Sequence, residues 1–305
     1  MLLLFACATP DAPDTPGATA DTNTDSAPVE STPTLQFRYV VLADPHIYAP
    51  TGDNVDRLDR AVAWITTNAE LLDLRLVLIV GDIAWGEGMD AAFTSLNALT
   101  IIWVPINGDN EIASDSEQAY DVTFAEHYAA LSTQLDDWEM GPTEVWNPEW
   151  QRTSWFHNVA FTFEGIRFVG LDWASRDENV ILSEMGALHD FEGGTFPFFE
   201  DQLTRAAGLA ENVVMFSHIP MHLSPGGFDL PKLARISAVT YPRADHVWAD
   251  LAGHYHGNGS ETVEGAGYDL HVTDATWDDD VQLRLVEVWA NEVRFEPSTE
   301  TVVIP

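Results

Sequence analysis

The chain is almost without lysine and cysteine. Lysine occurs once, at Lys232, and cysteine once, at Cys7. One cysteine excludes an intrachain disulfide, so the fold must rest on its core. The lysine shortage leaves 13 basic residues against 49 acidic ones, a formal net charge of −36. That balance excludes nucleic-acid binding through phosphate neutralisation, and an anionic membrane surface repels such a chain. The acidity fits solubility in salty water, where screening lengths fall to roughly 3 Å at 1 M salt. It also raises the divalent-cation concentration near any site on the protein.

What is present is material for a large core. A hydrophobic fraction of 46% over 305 residues suffices for one large domain or two ordinary ones. At the N-terminus, Leu3-Leu4-Phe5-Ala6-Cys7 is too short to span a bilayer. It resembles the end of a bacterial lipoprotein signal, whose cysteine is lipidated. The basic flank of a full secretory signal is missing, which points to a truncated start. The Ala, Pro, Thr, Asp, Ser and Gly that follow cannot bury enough apolar area to order themselves. The expected organisation is a signal remnant over 1–7, a disordered acidic tether over 8–34 and one domain over 35–305. The domain would sit outside the cytoplasm, tied to a bacterial membrane or cell surface through lipid on Cys7 and by nothing else.

Periodicity sets out the elements of that domain. A strand over 37–47 precedes a helix over 53–74, whose Val55, Leu58, Val62, Ile65, Ala69 and Leu72 share one side, with Asp53 or Asn54 as N-cap. A strand over 75–83, a helix over 89–99 and a strand over 100–106 follow. This alternation predicts a parallel sheet with right-handed crossovers. A helix over 117–135, an aromatic and Pro-containing insert over 136–152 and a hairpin of 155–164 with 166–173 come next. A helix over 198–209, a strand over 212–218, a helix over 229–239 and a strand over 246–253 lead to four C-terminal strands, 260–263, 268–273, 282–289 and 292–296. The last two form a hairpin turned at Ala290-Asn291.

Five polar islands stand where apolar strands end: Asp44-Pro45-His46, Gly81-Asp82, Gly108-Asp109-Asn110-Glu111, His218-Ile219-Pro220 and Gly253-His254-Tyr255-His256. Ligands in open sheets gather outside the strand carboxyl ends. Carboxylate oxygen suits hard divalent ions, and first-row transition metals also take imidazole nitrogen. A mixed Asp/His set therefore points to Mn, Fe, Zn or Co rather than Ca. Strand period two would turn Asp44 and His46 to one side, toward one metal. His254 and His256 would repeat that geometry and serve one ion or two. Asp82 ends a strongly apolar strand, where an uncompensated carboxylate is costly, so it needs a cation.

The islands in this order resemble the calcineurin-like metallophosphoesterases, over residues 37–296. The resemblance implies an α/β fold of mixed type, a four-layer αββα metallophosphoesterase sandwich. It implies two divalent transition-metal ions and hydrolysis of a phosphomonoester or phosphodiester by a metal-bridging hydroxide. The first ion would take Asp44, His46, Asp82 and His256; the second would take Asp82, Asp109, His218 and His254. A small phosphorylated substrate is the implied partner. The segment Gly170-Leu171-Asp172-Trp173 looks like the purple-acid-phosphatase branch, but Trp85 stands where that branch has its Tyr ligand.

The third island departs from the family's Gly-Asn-His-Glu. Asp109 replaces a neutral Asn ligand and reduces the Lewis acidity of the pair by its charge. Asn110 replaces the histidine that contacts phosphate and helps protonate the leaving group; Asn donates a hydrogen bond but has no titratable proton. General acid catalysis contributes typically 10²–10⁴-fold, so the change weakens activity or shifts it to other substrates. His189 is a candidate replacement acid, and His222 and Tyr255 are candidate substrate contacts. Trp155 and Trp173 are expected in the core, and His127, His157, His246 and His271 as structural. The alternative to an enzyme is a metal-binding, catalytically weak surface lipoprotein that binds a ligand or partner.

Overall fold

The computed structural model describes residues 34–176, 186–222, 227–277, 280–290 and 295–304. Cys7 and nearly all of the expected tether lie outside the described residues, as do parts of the loops before Phe196 and after His222.

In chain order the elements begin with β1 (Thr34–Leu42), α1 (Asp53–Leu72), β2 (Leu74–Val80), α2 (Met89–Leu96), β3 (Ile102–Ile106), α3 (Asp109–Ala113) and α4 (Glu117–Gln134). They continue with β4 (Asp136–Met140), β5 (Glu144–Asn147), β6 (Arg152–Trp155), β7 (Val159–Phe163), β8 (Ile166–Leu171), α5 (Thr195–Leu209), β9 (Asn212–Ser217) and α6 (Leu230–Thr240). The chain closes with β10 (Val247–Ala252), β11 (Gly259–Thr262), β12 (Asp269–Val272), β13 (Val281–Ala290) and β14 (Phe295–Ile304).

Two mixed sheets form, ordered β14-β13-β1-β2-β3 and β11-β12-β10-β9-β8-β7-β4, beside the small hairpin β5-β6. In the first, β1, β2 and β3 run parallel; in the second, β8, β9, β10 and β12 do. The inner faces meet through aromatic rings: Tyr39 is edge-on to Phe168 at 5.5 Å, and Phe37 to Phe163 at 5.4 Å. Burying each such side chain contributes about 1.5–3 kcal/mol, so this seam is a main support of the molecule. Helix α1 buries Leu58, Ala61, Val62 and Ile65 toward β2 and β13. On the second sheet, Phe199, Leu203 and Ala206 of α5 and Ile236 and Val239 of α6 close over Val169, Val213 and Met215. The result is the expected four-layer αββα sandwich.

Several expectations are corrected. Helix α1 starts at Asp53 behind Gly52, whose φ is 134°, and neither Asp53 nor Asn54 caps it through a side chain. The Asn54 amide instead donates to the His46 carbonyl at 2.7 Å, fastening the helix to the first island. The aromatic, Pro-containing insert holds strands of its own: β4 joins the second sheet through β7, and β5 pairs with β6. The strand–helix–strand part is parallel as expected, with β1, β2 and β3 running together, while β13 adds to the same sheet antiparallel to β1. The last strand lies at Phe295–Ile304 rather than over 292–296, and the turn residues 291–294 fall outside the described residues.

For the site, the key point is direction. The carboxyl ends of β1, β2 and β3 from one sheet and of β9 and β10 from the other release the five islands at one edge.

Candidate metal centre

The islands do not reach the site by continuing their strands. β1 stops at Leu42, and Asp44 and His46 then take left-handed backbone with φ 49° and 53°. Asp82 (50°), His254 (73°) and His256 (48°) do the same. Asp and His tolerate this region better than most residues, yet each such position stores strain that the surroundings must hold. The convergence of Asp44 and His46 thus comes from a loop, not from the strand pleat that the sequence implied.

Two glycines make the close approach possible. Gly81 itself has φ 79°, and a side chain there would meet His218 Cβ at 2.6 Å. At Gly108 a Cβ would overlap the Asp82 carboxylate.

Two clusters of donor atoms result. Asp44, His46, Asp82 and His256 form one, and Asp109, His218 and His254 the other, with the atoms of each within 4.8 Å of one another. Asp82 joins them: its Oδ2 is 3.2 Å from His46 Nε2 and 3.4 Å from His218 Nε2. In the second cluster Asp109 Oδ1 is 2.7 Å from His218 Nε2 and 3.0 Å from His254 Nδ1. In the first, His256 Nε2 is 3.3 Å from Asp44 Oδ1. His254 and His256 therefore part company, one to each cluster, and do not repeat the Asp44–His46 arrangement.

Around the donors, a second layer of hydrogen bonds sets orientation. His218 Nδ1 donates to the Val80 carbonyl at 2.9 Å, which turns Nε2 toward the cluster. The His254 backbone N–H donates to Asp44 Oδ2 at 3.1 Å. Glu111, fully buried, accepts from the Ala84 N–H at 2.8 Å and the Gly108 N–H at 2.7 Å, tying the second island to the third. Burial, and then the neighbouring Asp82, raise the Glu111 pKa to about 8 against the pull of those two N–H donors.

Electrostatics favour cations here. Two unit charges 4.8 Å apart repel by about 3.5 kcal/mol at an effective dielectric near 20. Asp44 and Asp82 are both buried within that range of each other. Burial alone would raise their carboxyl pKa values, but the facing His218, with His46 for both and His256 for Asp44, outweighs it and holds both below the usual range. Burial pulls His46 down, yet Asp44 and Asp82 raise it to about 9. His218 is likewise opposed by burial and driven well above its ordinary value by Asp82 and Asp44. The carboxylates thus draw protons onto imidazoles where divalent ions would serve better. Oxygen and imidazole nitrogen in this mixture fit Mn, Fe, Zn or Co.

Asn110 lies against the Asp82 carboxylate. Its backbone N–H donates to Asp82 Oδ1 at 2.8 Å, and its side-chain amide donates to Asp82 Oδ2.

The lesser candidates separate. Tyr255 flanks the centre, its ring 5.3 Å from that of His254. His189 does not join it: fully buried, it bonds the Ala174 carbonyl at 2.9 Å and packs on Phe156 and Phe191. His222 lies in another cavity, about 420 Å³, beside Tyr241 and Tyr268, and burial lowers its pKa to about 4. Trp173 is core, edge-on to Phe199 and Phe228. Asp172 of the same segment is a buried partner of Arg176, at 2.6 Å.

One neighbour escaped the sequence reading. Trp277 stacks on His46 at 5.3 Å and 12°, stands edge-on to His256 at 5.5 Å, and donates its backbone N–H to the Asp44 carbonyl at 3.3 Å. It follows no motif; the bridge between Ala43 and Ala275 brings it there.

No family model and no curated protein matches the sequence. Solved structures do. A Staphylococcus aureus protein described as a 5'-nucleotidase, in complex with alpha-ketoglutarate, matches with a TM-score of 0.57 at 12% identity, over 88% of this chain. The chain spans 54% of that protein's length. The sulfate thiohydrolase SoxB of Thermus thermophilus, in complex with glycerol, gives a TM-score of 0.47 at 11% identity, over 90% of this chain and 58% of that one. The phosphopantetheinyl hydrolase of Mycobacterium tuberculosis gives 0.39 at 12% identity, over 79% of this chain and 91% of that one. The first of these establishes a shared fold. It does not point to the purple-acid-phosphatase branch toward which Gly170-Leu171-Asp172-Trp173 leaned.

Proposed function

We propose that this chain is a hydrolase that cleaves a phosphate ester, monoester or diester, with two divalent transition-metal ions. Asp44, His46, Asp82 and His256 would hold the first and Asp82, Asp109, His218 and His254 the second. The observation that carries the reading is the placement of Asp82, whose Oδ2 faces His46 at 3.2 Å and His218 at 3.4 Å. One carboxylate is so shared between two donor clusters. Bound there, the ions would supply Lewis acidity toward the phosphoryl oxygens and lower the pKa of water toward neutrality.

The chain's own residues do the positioning. His218 is oriented by Val80, Asp44 by the His254 N–H, and the second and third islands are clamped by Glu111. Asn110 offers N–H groups and no transferable proton, so the leaving oxygen must depart without help from residue 110. The name of the Staphylococcus protein, a 5'-nucleotidase, is compatible with a phosphomonoester. A setting outside the cytoplasm, through lipid on Cys7, belongs to the same proposal and draws on the Leu3–Cys7 segment alone.

The test is metal content together with turnover of bis-p-nitrophenyl phosphate in added Mn. Two ions per chain and turnover lost in Asp82→Ala support the proposal; a metal-free, inactive protein overturns it. A second reading, a metal-binding protein of little catalytic power, is favoured by the hydrogen bonds from Asn110 into Asp82, which occupy acceptor sites the ions need. Asn110→His separates the two readings. A large gain on phosphomonoesters marks an enzyme lacking its acid, and no gain favours another substrate or none.

A further inference from the structure

A cavity of about 260 Å³ opens beside the first cluster, lined by Ile47, Tyr48, Asp53, Asn54, Arg57 and Trp277 among others. It is smaller than typical whole-ligand pockets, which run from roughly 300 to 1,000 Å³, so it fits one part of a substrate. Its link to the centre is direct. Trp277 stacks on the His46 ring, and Asn54 holds the His46 carbonyl at 2.7 Å. Tyr48 is 62% exposed and stacks on Trp85, which itself stands edge-on to His46 at 5.3 Å. A large exposed aromatic beside a cavity gives a flat, apolar contact at little cost in side-chain freedom. Arg57 donates to Asn54 Oδ1 at 3.2 Å, and among the described residues no carboxylate forms an ion pair with it. Its remaining N–H groups make no other hydrogen bond among the described residues and can serve an acceptor in the cavity. Asp53, on the same wall, offsets the Arg57 charge, so a neutral acceptor suits the place better than a second anion.

A separate observation concerns the leaving group. Asn110 cannot protonate it. An aromatic alcohol, unlike an aliphatic one, leaves readily as its anion. We infer that the cavity beside His46 receives the leaving group of the substrate, and that this group is a planar aromatic alcohol carrying a neutral hydrogen-bond acceptor that Arg57 binds. The inference rests on the phosphoesterase reading. In the step it serves, hydroxide from water forms the new P–O bond. The bond from phosphorus to the aryl oxygen breaks, and its electron pair leaves on that oxygen as an aryloxide. No proton needs to be supplied by residue 110.

The experiment compares 4-methylumbelliferyl phosphate, whose ring bears a carbonyl, with phenyl phosphate and glycerol 2-phosphate, in Mn-loaded protein. Tyr48→Ala should lower the ratio of kcat/KM for methylumbelliferyl over glycerol phosphate by roughly 5- to 10-fold. Arg57→Met should lower the ratio of methylumbelliferyl over phenyl phosphate by a similar factor. Unchanged ratios in both variants overturn the inference. Calorimetric binding of phenylphosphonate and methylphosphonate is read on the same proteins. If no ester is turned over, a selective loss of phenylphosphonate affinity in Tyr48→Ala sustains the cavity assignment while the hydrolase reading fails. Equal affinities across the variants overturn it.

Discussion

Asn110 donates to Asp82 twice, from its backbone N–H at 2.8 Å and from its side-chain amide. The carboxylate shared by the two donor clusters is thus held from the third island by a residue that can steady it but cannot pass a proton onward.

Replacing that residue separates steadying from proton transfer. Asn110→His should raise turnover of an alkyl phosphomonoester by on the order of 10²-fold, at the low end of general acid contributions. Aryl esters should gain far less. Steady-state rates on glycerol 2-phosphate and phenyl phosphate check this. An equal gain on both would mean that residue 110 acts through Asp82 alone.

Gly108→Ala should disturb the centre without replacing a ligand. The added methyl overlaps the Asp82 carboxylate, and overpacking typically costs about 1–3 kcal/mol. The expected outcome is a lower melting temperature and weaker metal binding, followed by thermal unfolding with and without Mn.

Glu111 accepts two backbone N–H groups in full burial. Glu111→Gln keeps one acceptor oxygen and strands the other N–H, at a cost of about 1–3 kcal/mol. Denaturant unfolding measures the loss, and Glu111→Ala should be worse because it strands both.

The metal-free protein should be sensitive to alkali. His46 is raised from an ordinary value near 6.5 to about 9 by Asp44 and Asp82. A raised folded pKa means that the proton stabilises the folded state. That contribution is complete below about pH 6.5 and disappears as pH climbs through about 9. Protons and metal compete for the same nitrogen, so apparent metal affinity should rise across the same window. Unfolding curves of chelator-treated protein, and metal titrations at several pH values, test the two signs together.

The donors were legible in the sequence because their chemistry is out of place: Asp82 and His218 each close an apolar strand, and such a position asks for a cation. The fold was legible for a related reason, since strands such as β2, apolar on both faces, alternate with the one-sided α1. The manner of convergence was not legible. Left-handed backbone at Asp44, His46, Asp82, His254 and His256 depends on packing from both sheets. Local pattern cannot show it, and the period-two argument for Asp44 and His46 failed for that reason. The parting of His254 from His256 depends on Asp109 and Asp44, 145 and about 210 residues away in sequence. Trp277 reaches His46 only through the pairing of Ala275 with Ala43. Asn54 looked like a helix cap because its position allowed it, but its amide donates to the His46 carbonyl and its Oδ1 accepts from Arg57 rather than from a helix backbone N–H.

The most direct test of the account is elemental analysis of purified protein reconstituted with Mn, Fe, Zn or Co, set beside Asp82→Ala treated identically. The account predicts about two ions per wild-type chain, markedly fewer in the variant, and hydrolysis of bis-p-nitrophenyl phosphate only in the former. Wild-type protein that takes up no metal, or that binds it equally well without Asp82, would contradict it.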